Sequence, residues 1–392
     1  MRNDQIFVFL LVILMPLSGC IGNSEDNQID AEDNQIDTED NQIDAEDCQT
    51  DVEDSQVNFQ PENRDELKTA VDEWMDDSDS ANSTYGEINT WDTSLITDMS
   101  GLFSSVQPGS PFSFNCDISD WDVSNVTDMR EMFEDAESFN QDISEWDVSS
   151  VVDMRRMFMN AESFNQDISK WNVSSVTDMG RMFEYAVIFD QDLSDWDVSS
   201  VTDMGGMFEY AVIFDQDLSD WDVSKVTHMM SMFEDADSFN HDISEWDISK
   251  VIQMTSMFED ADSFNHDISE WDVSSVIIMN DMFQNADSFN QDISEWNVSS
   301  VIDMSRMFQN ADSFNQAISE WNVSSVFDMG DMFDYAQNFD QDISNWDVSN
   351  VKDMSHMFDN AEGLSGNNKC AIHTSFSSND EWRYDWEPYC SD

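Results

Sequence analysis

The apolar residues of this chain return at the same places every 25 residues over most of its length. Tryptophan stands at 121, 146, 171, 196, 221, 246, 271, 296, 321 and 346, and the earlier Trp91 precedes Trp121 by 30 residues. A fixed period of this size is typical of repeats that stack on one another. A single repeat cannot bury its own apolar face, so we expect neighbouring repeats to complete the core.

Residues 168–189 show the pattern of one repeat. The first part has the spacing of the strand and turn of a leucine-rich repeat, with apolar Ile168, Trp171, Val173 and Val176. The second part follows one face of a helix, with apolar Met179, Met182, Phe183, Ala186 and Phe189. The sequence therefore predicts an α/β solenoid, a leucine-rich-repeat-like stack of about eleven strand-helix repeats with a cap at each end. A methionine stripe can also mark an adaptable binding groove, but its regular spacing here favours core.

The segments outside the repeats indicate an exported protein. An apolar run from Ile6 to Leu17 has the length of a signal-peptide core. The "LSGC" after it resembles the lipobox of bacterial lipoproteins, which implies cleavage before Cys20 and a lipid on its sulfur. An ordinary secretory signal is the alternative. We predict a signal peptide at 1–19, an acidic low-complexity stalk at 20–58, an N-terminal helical cap at 59–90, repeats at 91–362 and a C-terminal cap at 363–392.

The N-terminal cap carries its own helix signal. Leu67, Ala70, Val71 and Trp74 fall on one helical face, and Asn63 with Glu66 has the spacing of a capping box. This helix is expected to cover the open edge of the first repeat.

Charge narrows the range of partners. The chain has 85 Asp and Glu against 14 Lys and Arg, which gives a formal net charge of −71. Such a surface repels phosphates, so nucleic acid is excluded, and a membrane is expected to be reached only through the lipid anchor. Forty per cent hydrophobic residues indicate a folded chain with an acidic surface.

Acidic residues also stack in columns beside the buried tryptophans. If Trp and Val face the core of a parallel sheet, the residues between them face outward and form an exposed ladder. This predicted ligand-binding ladder contains Asp122, Asp147, Asp197, Asp222, Asp247, Asp272, Glu245 and Glu270. One interpretation is that these acids only keep the surface soluble, and the other is that they bind Ca²⁺ or a cationic ligand. No specific calcium motif or other cofactor signal is present, and the metal remains open. A further set, typified by Asp142, is expected to bond backbone amides at a turn.

The remaining chemistry argues against an enzyme. The sequence has no phosphate loop, nucleophile elbow or zinc-protease motif, and its polar residues recur in every repeat where catalysis needs one distinct site. His241 and His266 share a repeat column, which alone is not a zinc site. Cys370 and Cys390 bracket the C-terminal cap and are predicted to form a disulfide. Cys48 and Cys116 could pair with each other, stay unpaired or link two chains.

The repeat "MFxxAxSFNQDISxWDVSSVxDM" resembles that of the BspA-type leucine-rich-repeat surface proteins, in particular the subgroup of lipoproteins with 25-residue repeats. The likeness spans about Trp91 to Ala361, and the segment after the repeats resembles the closing segment of the same family. The resemblance implies a non-catalytic protein, anchored by lipid to the outer face of the cell membrane, that binds an extracellular protein, a glycan or other cells. A structural, cation-stabilised component of the cell envelope is the alternative.

Overall fold

Successive tight turns build the repeats, whose described residues form neither a strand nor a helix. The computed structural model describes residues 58–104 and 114–390, which lie within one compact unit of the chain, Asn41–Asp392. In one repeat, backbone bonds close turns from Ile118 to Trp121, from Val123 to Val126 and again from Met129 to Met132. The segments 1–19 and 20–57, including Cys20 and Cys48, lie outside the described residues.

Each repeat rests on the next through backbone hydrogen bonds. The N–H of Met129 donates to the carbonyl of Asp153 at 3.0 Å, and the N–H of Phe133 donates to that of Met157 at 2.9 Å. One isolated parallel bridge joins each pair of neighbours, as between Asp128 and Asp153. Within the described ranges there is no β-strand or sheet, and no helix lies inside the repeats. The predicted α/β solenoid and its parallel sheet are therefore wrong.

Two left-handed residues per repeat explain why the predicted helix does not form. Glu131 has φ +57° and Asp135 has φ +60°, and the same two places are left-handed in the repeats that follow. A helix cannot continue through such residues, because its backbone requires φ near −63°. The backbone N–H groups at these two places donate to carbonyl groups of the next repeat. In a helix they would instead donate to the carbonyl four residues earlier in the chain.

The predicted core is nevertheless confirmed. All nine inward positions of the repeat at 168–189 are at most 3% exposed. Tryptophans stack in a column, with the rings of Trp171 and Trp196 6.5 Å apart and nearly parallel. From Trp121 to Trp346, each indole N–H of the column donates to a carbonyl of the preceding repeat, as from Trp196 to Ile168 at 3.1 Å. The indole donors of these repeats are thus satisfied by the neighbouring repeat, and the columns form one continuous core.

A second column, made of amide and carboxylate side chains, connects each repeat to the next by hydrogen bonds. The side-chain oxygen of Asn265 accepts the backbone N–H of Asn290 at 2.9 Å, and the amide of Gln291 donates back to the same oxygen. The bond repeats at every level of the amide column, which comprises Asn140, Asn165, Asp190, Asp215, Asn240, Asn265, Asn290, Asn315 and Asp340. This column holds the register between repeats where no sheet does so.

Helices occur only at the two ends of the stack among the described residues. They are α1 (Arg64–Asp76), α2 (Ser78–Tyr85) and α3 (Gly366–Phe376), with short 3₁₀ helices at Ile88–Thr90 and Glu387–Cys390. Asn63 caps α1 by accepting the N–H of Glu66, and the predicted apolar face of α1 is buried. Trp74 of this face packs against Trp91 at 5.8 Å, and Trp386 packs against Phe358 at 5.5 Å at the other end.

Candidate binding surface

The acidic column is a set of six carboxylates that directly follow buried tryptophans: Asp122, Asp147, Asp197, Asp222, Asp247 and Asp272. All six are exposed. One oxygen of each accepts the N–H of the serine two residues later, at 3.0 Å for Asp122 and 3.1 Å for Asp222. The hydrogen bonds from the side chain and backbone of Ser224 lower the pKa of Asp222. Each of these carboxylates is therefore fixed in direction by its hydrogen bond, and each also closes a local turn, which the sequence interpretation did not predict.

Glutamates directly before the tryptophans lie beside the acidic column. Glu245 and Glu270 are exposed, as is Glu145, whose carboxylate lies 3.4 Å from the ammonium nitrogen of Lys170. The pair shows that a cation one repeat away can reach this surface. An exposed pair of this kind contributes little to stability by itself.

The turn aspartates behave as predicted. The carboxylate of Asp142 accepts the N–H of Ser144 at 3.0 Å. The same bond recurs at Asp167, Asp192, Asp217, Asp242, Asp267 and Asp292. Bonds from Ser144 lower the pKa of Asp142. Their role in closing the turn is confirmed.

Two histidines of the repeats, His241 and His266, join the amide column. The Nε2 atom of His241 lies 2.9 Å from the carbonyl oxygen of Asp215, and that of His266 lies 2.8 Å from the carbonyl oxygen of Asn240. Each thus stands where glutamine stands in other repeats. Across residues 58–104 and 114–390, no group of three or more His, Cys, Asp or Glu side chains is arranged to hold a metal ion.

A disulfide closes the C-terminal cap. It joins Cys370 in α3 to Cys390 at the end of the last 3₁₀ helix, with 5.0 Å between the Cα atoms. Cys116 is 4% exposed and lies in the core. A pairing of Cys116 with Cys48 involves a residue outside the described ranges.

A set of half-buried acids was missed by the sequence interpretation. Burial, together with neighbouring acids, raises the pKa of Glu209, Asp235 and Glu259 to about 7. Their signal in the sequence is an acid directly after a buried phenylalanine, or one residue further on, as in "MFED". That place lies between stacked repeats, where the carboxyl groups of neighbours approach one another and shed water.

Arginine and aspartate also alternate along one edge of the early repeats. The Arg130 guanidinium lies 2.7 Å from the carboxylate of Asp128 and 3.5 Å from that of Asp153 in the next repeat. Arg155 repeats the arrangement, at 2.8 Å from Asp153 and 3.3 Å from Asp178. Each arginine thus bridges the aspartate of its own repeat and that of the next, which reduces repulsion between them.

The series of arginine–aspartate ion pairs ends at a cavity of about 410 Å³. We name it the arginine cavity, after the residues that line it: Arg130, Arg155, Arg156, Arg181, Gly180 and Gly205. Asp178 and Asp203 also line it. The sequence signal was available, since "VVDMRRM" becomes "VTDMGRM" and then "VTDMGGM" in consecutive repeats. The features that the repeats share do not predict this site, because it forms where consecutive repeats differ.

These features define a class of protein: a stack of turn-built repeats with an acidic surface and capped ends. The chain belongs to the family described as "Mycoplasma protein of unknown function, DUF285", whose model matches residues 70–196, 185–296 and 279–378. No curated protein matches the chain. No helix among the described residues combines the length and apolar character needed to cross a membrane.

Proposed function

We propose that this protein is a non-catalytic cell-surface protein that binds an extracellular protein, a glycan or other cells through its acidic column. The observation that carries the proposal is the regular, exposed array of carboxylates, each held in direction by a bond to its own turn. A rigid array lowers the entropy lost when a partner binds. The family is of unknown function, so the partner must come from experiment.

Anchoring and location belong to the same proposal. The lipobox-like "LSGC" and the acidic stalk support a lipid-anchored protein at the outer face of the membrane. The sequence resemblance to BspA-type surface proteins supports adhesion. The strand-helix repeat that the same resemblance implied is not part of this proposal. Labelling with a lipid precursor would test the anchor: Cys20→Ser should abolish incorporation and release the protein from the membrane fraction.

The binding experiment uses the purified protein on beads, offered to matrix proteins, polysaccharides and intact cells. The test variant changes Asp197, Asp222 and Asp247 to Asn, which retains the turn-closing oxygen because Asn172 and Asn322 already make that bond. The matched control changes Asp192, Asp217 and Asp242 to Asn, so it removes the same charge from the same repeats. We expect selective capture that the test variant loses and the control keeps. Equal capture by both variants would contradict a role for the acidic column.

A second candidate is a structural component of the cell envelope that cations stabilise. The half-buried acids favour it. Burial and repulsion from neighbouring acids raise the pKa of Glu209 and of Glu259 to about 7, and a bound cation would relieve that repulsion. Repeating the bead experiment with Ca²⁺ and with a monovalent salt of equal ionic strength separates the two. Self-association that grows with Ca²⁺, in the absence of any other partner, would support the envelope function.

A further inference from the structure

The arginine cavity lies where a pattern that the structure itself defines comes to an end. Arg130 and Arg155 occupy the same place in consecutive repeats, two residues after the aspartate of the bridge. Each places its guanidinium between two aspartates one repeat apart. The next residue at this place is Gly180, and the two aspartates it separates are Asp178 and Asp203.

Gly180 leaves room for a guanidinium from elsewhere. A Cβ atom at Gly180 would make only ordinary contacts, 3.4 Å from an oxygen of Asp178 and 3.6 Å from the carbonyl of Gly205. Its backbone is not left-handed, so the place accepts a side chain. The cavity therefore occupies space that an arginine side chain could fill, and burial already raises the pKa of the Asp178 carboxyl group that faces it.

Another residue of the lining, Arg156, offers the other charge. Arg156 is 44% exposed, and its guanidinium nitrogen lies 3.7 Å from the carboxylate of Glu131 and 3.9 Å from that of Glu134. Both distances exceed that of a good hydrogen bond, so this guanidinium can still donate to a carboxylate. The lining of the cavity thus combines two aspartates with a half-exposed arginine.

We propose that the arginine cavity binds a ligand that carries a guanidinium group, held between Asp178 and Asp203 in the manner of Arg130 and Arg155. Where the ligand is free arginine, its carboxylate pairs with Arg156. The ligand is either free arginine or an arginine side chain of a protein. This site is separate from the acidic column, and its test is independent of the proposed function.

The test is calorimetric titration of the purified full chain at low ionic strength. The probes are L-arginine, the neutral isostere L-citrulline, and a blocked tripeptide, acetyl-Gly-Arg-Gly-amide, which has no carboxylate. We expect about one arginine bound per chain, and citrulline weaker by about tenfold or more, because it cannot form the charged pairs. Binding of the tripeptide equal to or tighter than that of arginine would identify a protein side chain as the source, and weaker binding the free amino acid. Equal binding of citrulline, or many equivalent arginine sites, would overturn the proposal.

Two variants locate the site. Gly180→Arg supplies the guanidinium covalently and should abolish arginine binding, whereas Gly330→Arg adds the same charge at the equivalent place six repeats later and should leave it intact. If Gly180→Arg does not fold, Asp203→Asn replaces it, with Asp328→Asn as its control. In both aspartates one oxygen accepts a glycine N–H at 2.9 Å, which asparagine preserves. Unchanged arginine binding in Gly180→Arg or Asp203→Asn would refute the assignment.

Discussion

Replacement of Glu259 by glutamine should stabilise the protein at pH 8 and leave its stability nearly unchanged at pH 4.5. The substitution suits the site, since Gln284 and Gln309 occupy the same place in the next two repeats. The amide of Gln284 donates to the Glu259 carboxylate, and a glutamine at 259 retains that acceptor. The variant therefore removes the charge and keeps the packing.

The magnitude follows from the pKa. Burial, then the neighbouring Glu234, Asp281 and Asp260, raise the pKa of Glu259 from 4.5 to about 7 in the folded state. Below pH 4.5 the carboxyl group of Glu259 is protonated in both the folded and the unfolded chain, and above pH 7 it is protonated in neither. In between, only the folded state holds the proton, so the contribution of this group to stability falls as the pH rises. At about 1.4 kcal/mol per pH unit the full effect is about 3 kcal/mol, and relaxation of the folded chain should reduce it to about 2.

Urea unfolding followed by tryptophan fluorescence provides the measurement, at both pH values and at low salt. The control is Glu245→Gln, which removes one negative charge from an exposed place. It should move the midpoint little, and by a similar amount at either pH. If Glu259→Gln gained no more than Glu245→Gln at pH 8, or gained as much at pH 4.5, the argument from buried carboxylates would be refuted.

Three further predictions concern the stack itself, and thermal melting followed by circular dichroism measures each. Trp221→Ala should destabilise the protein by about 3 to 5 kcal/mol, because the ring is buried and its N–H is bonded; an unchanged melting temperature would contradict the tryptophan column. Gly206→Ala should destabilise the protein by about 1 kcal/mol or more, since φ is +63° and the new Cβ would lie 2.8 Å from a carboxylate oxygen. The control, Gly180→Ala, should be neutral or slightly stabilising. Equal effects of the two variants would show that backbone strain at Gly206 is unimportant. Asn265→Ala should destabilise the protein by about 1 to 3 kcal/mol, because it leaves the N–H of Asn290 without its acceptor. A smaller loss of stability would mean that the amide column does not hold the register.

The inward and outward faces of the repeat were predictable from the sequence. Burial follows the spacing of apolar side chains, and that spacing survives in any backbone that returns the same residues to the interior. The nine core positions, the helical face of α1 and the turn role of Asp142 were therefore correctly predicted. The function of the exposed acids was not, because exposure alone does not identify a partner.

The backbone conformation was decided by the tertiary structure. Apolar residues at i, i+3 and i+4 fit one face of a helix, but a chain of tight turns can bury the same set. The choice depends on where each N–H finds its acceptor, and for Glu131 and Phe133 the acceptor is a carbonyl of the next repeat. The arginine cavity likewise exists only because stacking aligns Gly180 and Gly205 with Arg130 and Arg155. Spacing along one repeat determines what is buried, whereas contacts between repeats determine how the backbone achieves it and where a site can form.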